Sequence, residues 1–152
     1  MVDWLGKYLH GRYRNAEIYV ADTSQVNLDT VLQEQGVLQF YPEVVGIGMQ
    51  IDVLGIVKVK PNVKPLLFFI EAKKTQLNTH DFGQILVYCR LCDPEAAFLF
   101  SSNGLGALSK IVTIREDITL YGDKKKLKMI QIGKWDVLRK APDPKTIMPK
   151  LI

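Results

Sequence analysis

Two acidic residues and a lysine stand out in this 152-residue chain because of their setting. Asp52 is followed by eighteen mostly apolar residues, and that run ends in Glu71-Ala72-Lys73. Burying a charge costs on the order of several kcal/mol unless it is paired or bound to metal. Two carboxylates converging beside a lysine meet that requirement with a divalent cation. Asp52 and Glu71 are hard oxygen ligands, suited to Mg²⁺ or Mn²⁺ more than to zinc, and the main-chain carbonyl of Ala72 would point near the same ion. Such an ion polarises a phosphoryl oxygen and lowers the pKa of a bound water. Lys73 would orient that water or stabilise negative charge developing on the phosphate. Together these residue types suit hydrolysis of a phosphodiester. Singly, each has an ordinary explanation: Asp52 in a turn or beside an arginine, Glu71 and Lys73 as an exposed strand-end pair.

The elements that must position them are legible as periodicity. Residues 44–60 read as an interior strand, apolar on both faces near the middle, with Gly46 and Gly48 marking a bend or bulge. Residues 65–73 read as a second such strand, and Pro61-Asn62 as the turn of an antiparallel hairpin. Period two puts Glu71 and Lys73 on one face and Ala72 on the other. Asp52, on the neighbouring strand, reaches Glu71 if the register is right. A helix follows from Asn78 or Thr79 to Cys92, with Phe82, Ile85, Leu86 and Cys89 as its core stripe and Asp81, Gln84 and Tyr88 on a different face. Asp93-Pro94 stops it, and residues 96–101 form a compact strand. That strand–helix–strand order predicts a parallel pair.

Elsewhere, a helix over residues 2–12 is capped by Asp3 and ended by Gly11, and residues 18–20 are extended. Asp22-Thr23-Ser24 is a capping cluster before a helix over 26–35, which Gly36 closes. Residues 37–41 suggest a strand. Asn103-Gly104-Leu105-Gly106 matches no phosphate-binding fingerprint and reads as a flexible loop. Residues 111–114 and 118–121 read as short strands, with Lys124, Lys125 and Lys126 at a hairpin tip, either solvated or in contact with phosphate. Residues 129–132 read as a last strand, 135–140 as a helical turn, and the tail from Ala141 as irregular.

The length suits one domain, 1–152, and 47% apolar residues can build a core. No apolar run approaches the roughly 18–20 residues of a membrane span. The start, Met1-Val2-Asp3-Trp4, lacks the layout of a signal peptide. The expectation is a soluble cytoplasmic protein that does not enter a membrane. A net charge of +4 and a pI near 9.0 fit a partner that is a polyanion. Cys89 and Cys92 form a lone CxxC without a second pair to complete a zinc site, and read as two free thiols, buried or half-buried.

Gln50-Ile51-Asp52-Val53-Leu54-Gly55, followed by Phe69-Ile70-Glu71-Ala72-Lys73, resembles the PD-(D/E)xK nuclease superfamily, which includes restriction endonucleases, archaeal Holliday-junction resolvases and RecB-like exonuclease domains. No proline precedes Asp52. Gln84-Ile85-Leu86-Val87-Tyr88, beginning eleven residues after Lys73, is similar to the QxxxY helix motif of RecB-like members. The resemblance covers residues 44–101. It implies an α/β fold of restriction-endonuclease-like type, a central mixed β-sheet flanked by helices, and Mg²⁺- or Mn²⁺-dependent cleavage of DNA as an endonuclease, restriction-type or junction-resolving. Asp52 and Glu71 would be metal ligands, Lys73 the catalytic lysine, and Gln84 and Tyr88 supporting residues. Glu34 is either a metal-site residue from an early helix or a solvated glutamate. Lys74 and the lysines at 124–126 are the candidate DNA contacts. The resemblance fits a homodimer, a subunit paired with a DNA-recognition subunit, or a domain of a longer enzyme. The alternative is a catalytically inactive nucleic-acid-binding or scaffold protein with the same fold.

Overall fold

The apolar run before Glu71 folds as a strand, β3 (Leu66–Lys73), as its pattern predicts. In the computed structural model, which describes residues 1–150, the chain divides into two compact units. The first spans Met1–Ile70 and the second begins at Glu71, so β3 passes from one to the other.

The first unit holds α1 (Val2–Arg12), β1 (Glu17–Asp22), α2 (Leu28–Glu34), β2 (Val53–Lys58) and the apolar part of β3. β2 pairs antiparallel with both β1 and β3, in registers that set Val20 opposite Gly55 and Val53 opposite Ile70. Residues Val53 to Val57 are all buried, as expected for an interior strand. α1 packs on β1 and β2. Met1, not Asp3, is its N-cap, and it continues through Gly11 to Arg12.

Three expectations for this unit are corrected. α2 starts at Leu28, because Asp22 Oδ1 accepts from the backbone N and hydroxyl of Ser24 and makes a turn instead of a helix cap. Residues 37–41 are no strand: the chain makes two 3₁₀ turns, Leu38–Phe40 and Pro42–Val44. β2 begins only at Val53. Gly46 and Gly48 take φ of +77° and +76°, which breaks any pleat. The segment is instead tied to residues 23–29: Gly46 N donates to Asp29 Oδ2, Leu28 N to the Met49 carbonyl, and Thr23 donates through Oγ1 to the Ile51 carbonyl and through N to that of Asp52.

The second unit holds α3 (Thr79–Cys92), β4 (Ala96–Ser101), α4 (Leu108–Ile114), β5 (Leu120–Asp123), β6 (Lys126–Asp136) and β7 (Ala141–Pro142). β4 pairs in parallel with β6, while β5 and β7 pair with β6 antiparallel. α3 has the predicted ends and packs against β4 and β5. Its core stripe is buried at Phe82, Ile85 and Cys89 and half-buried at Leu86.

Here too the structure departs from expectation. Residues 111–114 lie in α4, where Leu108 and Val112 are buried one turn apart, so helical spacing prevails over β-branched composition. A 3₁₀ turn, Glu116–Thr119, precedes β5. Residues 129–132 are a strand, as expected, but within the eleven-residue β6, and β7 follows it. Residues 135–140 turn as a hairpin, because Asp136 Oδ1 accepts from the N–H groups of Leu138 and Arg139 and Lys140 is left-handed at φ +54°. The tail is partly regular, through β7 and a bridge between Ile132 and Met148.

The chain is thus α/β, with seven strands in mixed, mostly antiparallel pairing and helices packed on them. No helix among the described residues is long and apolar enough to cross a membrane.

At Gly55, α1 comes close to β2. A Cβ there would lie 2.9 Å from Leu9 Cδ1 and 3.2 Å from both Leu5 Cδ2 and Phe68 Cβ. Leu5 and Leu9 are fully buried, so their methyls cannot swing away. Gly55→Ala should destabilise by about 1–3 kcal/mol through overpacking, read as a lower urea midpoint at unchanged m-value.

Candidate functional site

β3 loses its apolar character in its last three residues. Glu71 is buried, 5% exposed, while Ala72 and Lys73 are half-buried. Lys73 Nζ lies 3.9 Å from Asp81 Oδ1 in the first turn of α3. Asp81 is itself buried, and its other oxygen closes a capping box. Asn78 N donates to Asp81 Oδ2 at 3.2 Å, and Asp81 N donates to Asn78 Oδ1 at 2.9 Å. A helix N-terminus carries partial positive charge and disfavours a nearby ammonium. Asp81 offsets that repulsion, so Lys73 is held at the strand end. Sequence periodicity grouped Asp81 with Gln84 and Tyr88; the signal for its actual role was the Asn78-x-x-Asp81 spacing of a capping box.

The loop after β3 is bound to the loop after β4. Ser102 N donates to the Lys73 carbonyl at 3.2 Å, Leu77 N to the Gly104 carbonyl at 3.1 Å, and the Ser101 hydroxyl to the Thr75 carbonyl. Asn103 N in turn donates to Ser101 Oγ. Gly106, at φ +55°, approaches so closely that a Cβ would lie 2.8 Å from the Leu77 carbonyl oxygen. The glycine-rich segment expected to be flexible is therefore stitched to the loop leaving Lys73. In α/β proteins the carboxyl ends of strands are the usual place for a ligand.

The other candidate residues are distributed as follows. Asp52, in the first unit, is half-buried one residue before β2, its carbonyl held by Thr23 N at 3.0 Å. Glu34 is exposed at the end of α2. Gln84 Nε2 donates to the Tyr88 hydroxyl at 3.1 Å across one turn of α3, with Gln84 exposed and Tyr88 half-buried. Lys74 is exposed next to Lys73. Lys124, Lys125 and Lys126 are exposed at the β5–β6 hairpin tip, but at the other end of β4 from Ser101. Parallel pairing sets Ala97 beside Ile130 and Ser101 beside Lys134, so the tip is separated from the Lys73 end by about five strand steps or more, roughly 17 Å. Lys126 also pairs with Glu95 at 3.1 Å, and Lys128 pairs with Asp93 at 3.1 Å.

Among the described residues no group of three His, Cys, Asp or Glu is arranged to hold a metal ion. Any ion bound here would take fewer side chains and keep water. Cys89 and Cys92 are buried thiols outside any disulfide, as the sequence suggested. Burial pushes the Cys89 thiol up from its ordinary range, reinforced by Cys92, Asp93 and Glu71.

Asp81→Ala, which opens the capping box and removes the partner of Lys73, should cost about 1–2 kcal/mol in urea unfolding, and Asn78→Ala about 1 kcal/mol. Iodoacetamide at pH 8 should label Cys89 slowly in the native protein and completely in denaturant. Because the folded thiol holds its proton to higher pH than the unfolded one, the thiol's contribution is intact below the unfolded pKa, about 8.5, and stability should decline as pH rises above it. No known protein family, curated protein or solved structure matches the chain, and what the site does must be read from its own residues.

Proposed function

We propose that the chain is a metal-dependent DNA endonuclease in which Asp52 and Glu71 hold Mg²⁺ or Mn²⁺ and Lys73 assists the attacking water. The register of β2 on β3 is the observation that carries this reading. Val53 pairs with Ile70, Asp52 immediately precedes Val53, and Glu71 immediately follows Ile70. The ladder ends at that pair, and the two carboxylate residues are the next residue along each strand. On this reading the seven strands form the central mixed sheet of a restriction-endonuclease-like fold.

The donor set fits the ion. Two carboxylates and the Ala72 carbonyl leave the remaining positions to water, as Mg²⁺ prefers. When bound, the ion supplies Lewis-acid activation of a phosphoryl oxygen and of water. The chain's own part is to orient. Lys73, steadied by Asp81, presents its ammonium to the water or to the charge developing on phosphate. The stitched loops keep that ammonium at the strand end. DNA is the substrate, approached with Lys74 beside the site; a second copy of the chain or a DNA-recognition subunit is the partner.

Supercoiled plasmid should be nicked or linearised in Mg²⁺ or Mn²⁺ and left intact in EDTA. Asp52→Asn, Glu71→Gln and Lys73→Ala should each reduce the rate by about 10²-fold or more. Calorimetric titration with Mn²⁺ should lose its binding isotherm in Asp52→Asn and Glu71→Gln but keep it in Lys73→Ala. Plasmid left intact by wild type with both metals, while DNA is still bound, would mean an inactive nucleic-acid-binding protein instead.

A further inference from the structure

The β6–β7 hairpin projects from the end of the second unit where Lys73 lies, and hydrolysis leaves it without a role. Its tip displays Leu138 at 95% exposure and Val137 at 62%. No other large apolar side chain among the described residues is as exposed as Leu138. The tip is also rigidly built. Asp136 Oδ1 accepts from Leu138 N at 3.0 Å and Arg139 N at 3.1 Å, and Asp136 Oδ2 lies 3.8 Å from Arg139 Nε. Below it Trp135 is buried against Phe100, with ring centroids 5.8 Å apart. A turn this well anchored presents its apolar residues outward in a fixed place.

Four cations on or beside the hairpin, Lys134, Arg139, Lys140 and Lys145, are exposed. Two acids lie among them, Asp136 holding the turn and Asp143 with Oδ1 accepting from Lys145 N, so the cations outnumber the acids. The hairpin is linked to Lys73 in two steps. Ser102 N bonds the Lys73 carbonyl, and Ser102 lines a hollow of about 270 Å³ with Lys134, Trp135, Val137, Leu138 and the acids Asp136 and Asp143.

We infer that this hairpin is a wedge for duplex DNA. Arg139, Lys140 and Lys134 hold backbone phosphates, and Leu138, with Val137 behind it, enters the base stack and opens the helix beside Lys73. Apolar wedges flanked by cations unstack base steps in this way in architectural DNA-binding proteins. The excess of exposed cations over acids along the hairpin favours a polyanion over an apolar protein groove as the occupant. The inference rests on the nuclease reading for its substrate, yet it is testable without cleavage.

The probe is a DNA duplex with a central branch carrying 2-aminopurine at the branch, titrated with protein in EDTA. Wild type should raise the fluorescence severalfold. Leu138→Ser, whose side chain is almost wholly exposed and whose melting temperature should match wild type, should still bind but leave the fluorescence at the free-DNA level. Arg139→Ala/Lys140→Ala should bind more weakly and lower the salt slope by about 2. Binding by wild type without a fluorescence rise, or an equal rise with Leu138→Ser, overturns the wedge. So does a Leu138→Ser variant changed only in its oligomeric state by sedimentation, which would make the tip a protein contact. Plasmid cleavage in Mg²⁺ is scored separately. Cleavage without unstacking removes the wedge and leaves the nuclease; unstacking without cleavage does the reverse.

Discussion

One carboxylate ties the candidate chemistry to the fold. Asp81 closes the first turn of α3 with one oxygen and faces Lys73 with the other. A buried acid is costly unless both oxygens find partners, and a half-buried ammonium near a helix N-terminus is costly unless a negative charge lies close. Each group offsets part of the other's penalty. The arrangement holds only if β3 ends where it does and α3 starts where it does, and the bonds from Ser101 and Ser102 to the intervening loop keep both ends in place.

Much of this was legible in the sequence because strong local signals agreed with the tertiary outcome. The two-sided apolar run at residues 66–70 could only be an interior strand, and Asn78 and Asp93-Pro94 bracketed α3. Period two then put Glu71 and Lys73 on a common face. The failures come from side chains and glycines whose hydrogen bonds or burial override the local apolar pattern. Val44, Val45 and Ile47 look like strand, but their N–H groups close local turns onto Tyr41, Pro42 and Val44, while Gly46, Met49, Ile51 and Asp52 bond to residues 23–29. Ile111-Val112-Thr113-Ile114 has strand composition, yet Leu108 and Val112 find burial one helical turn apart. The turn at 136–140 hinged on Asp136 accepting two backbone N–H groups, a habit of aspartate that the helical spacing obscured.

Charge was the least reliable guide to location. The run Lys124-Lys125-Lys126 is the most conspicuous basic feature of the chain, but the parallel pairing of β4 with β6 carries it to the far end of the strand, and Glu95 takes up part of its charge. No local pattern encodes that displacement. Lys134, Arg139 and Lys140 form no comparable run, yet the hairpin places them at the end where Lys73 lies.

β6 is bordered by β4 along one edge. Along the other it meets β5, then Met148 at Ile132, then β7. Three short pieces thus cover what would otherwise be an eleven-residue row of open backbone groups. A long uncovered strand is a template on which other chains can add indefinitely, whereas fragments of two to four residues offer no such run. The C-terminal segment therefore acts as a guard against fibrous self-association, so that the apolar tip of the hairpin can be displayed to solvent without making the protein sticky along its flank.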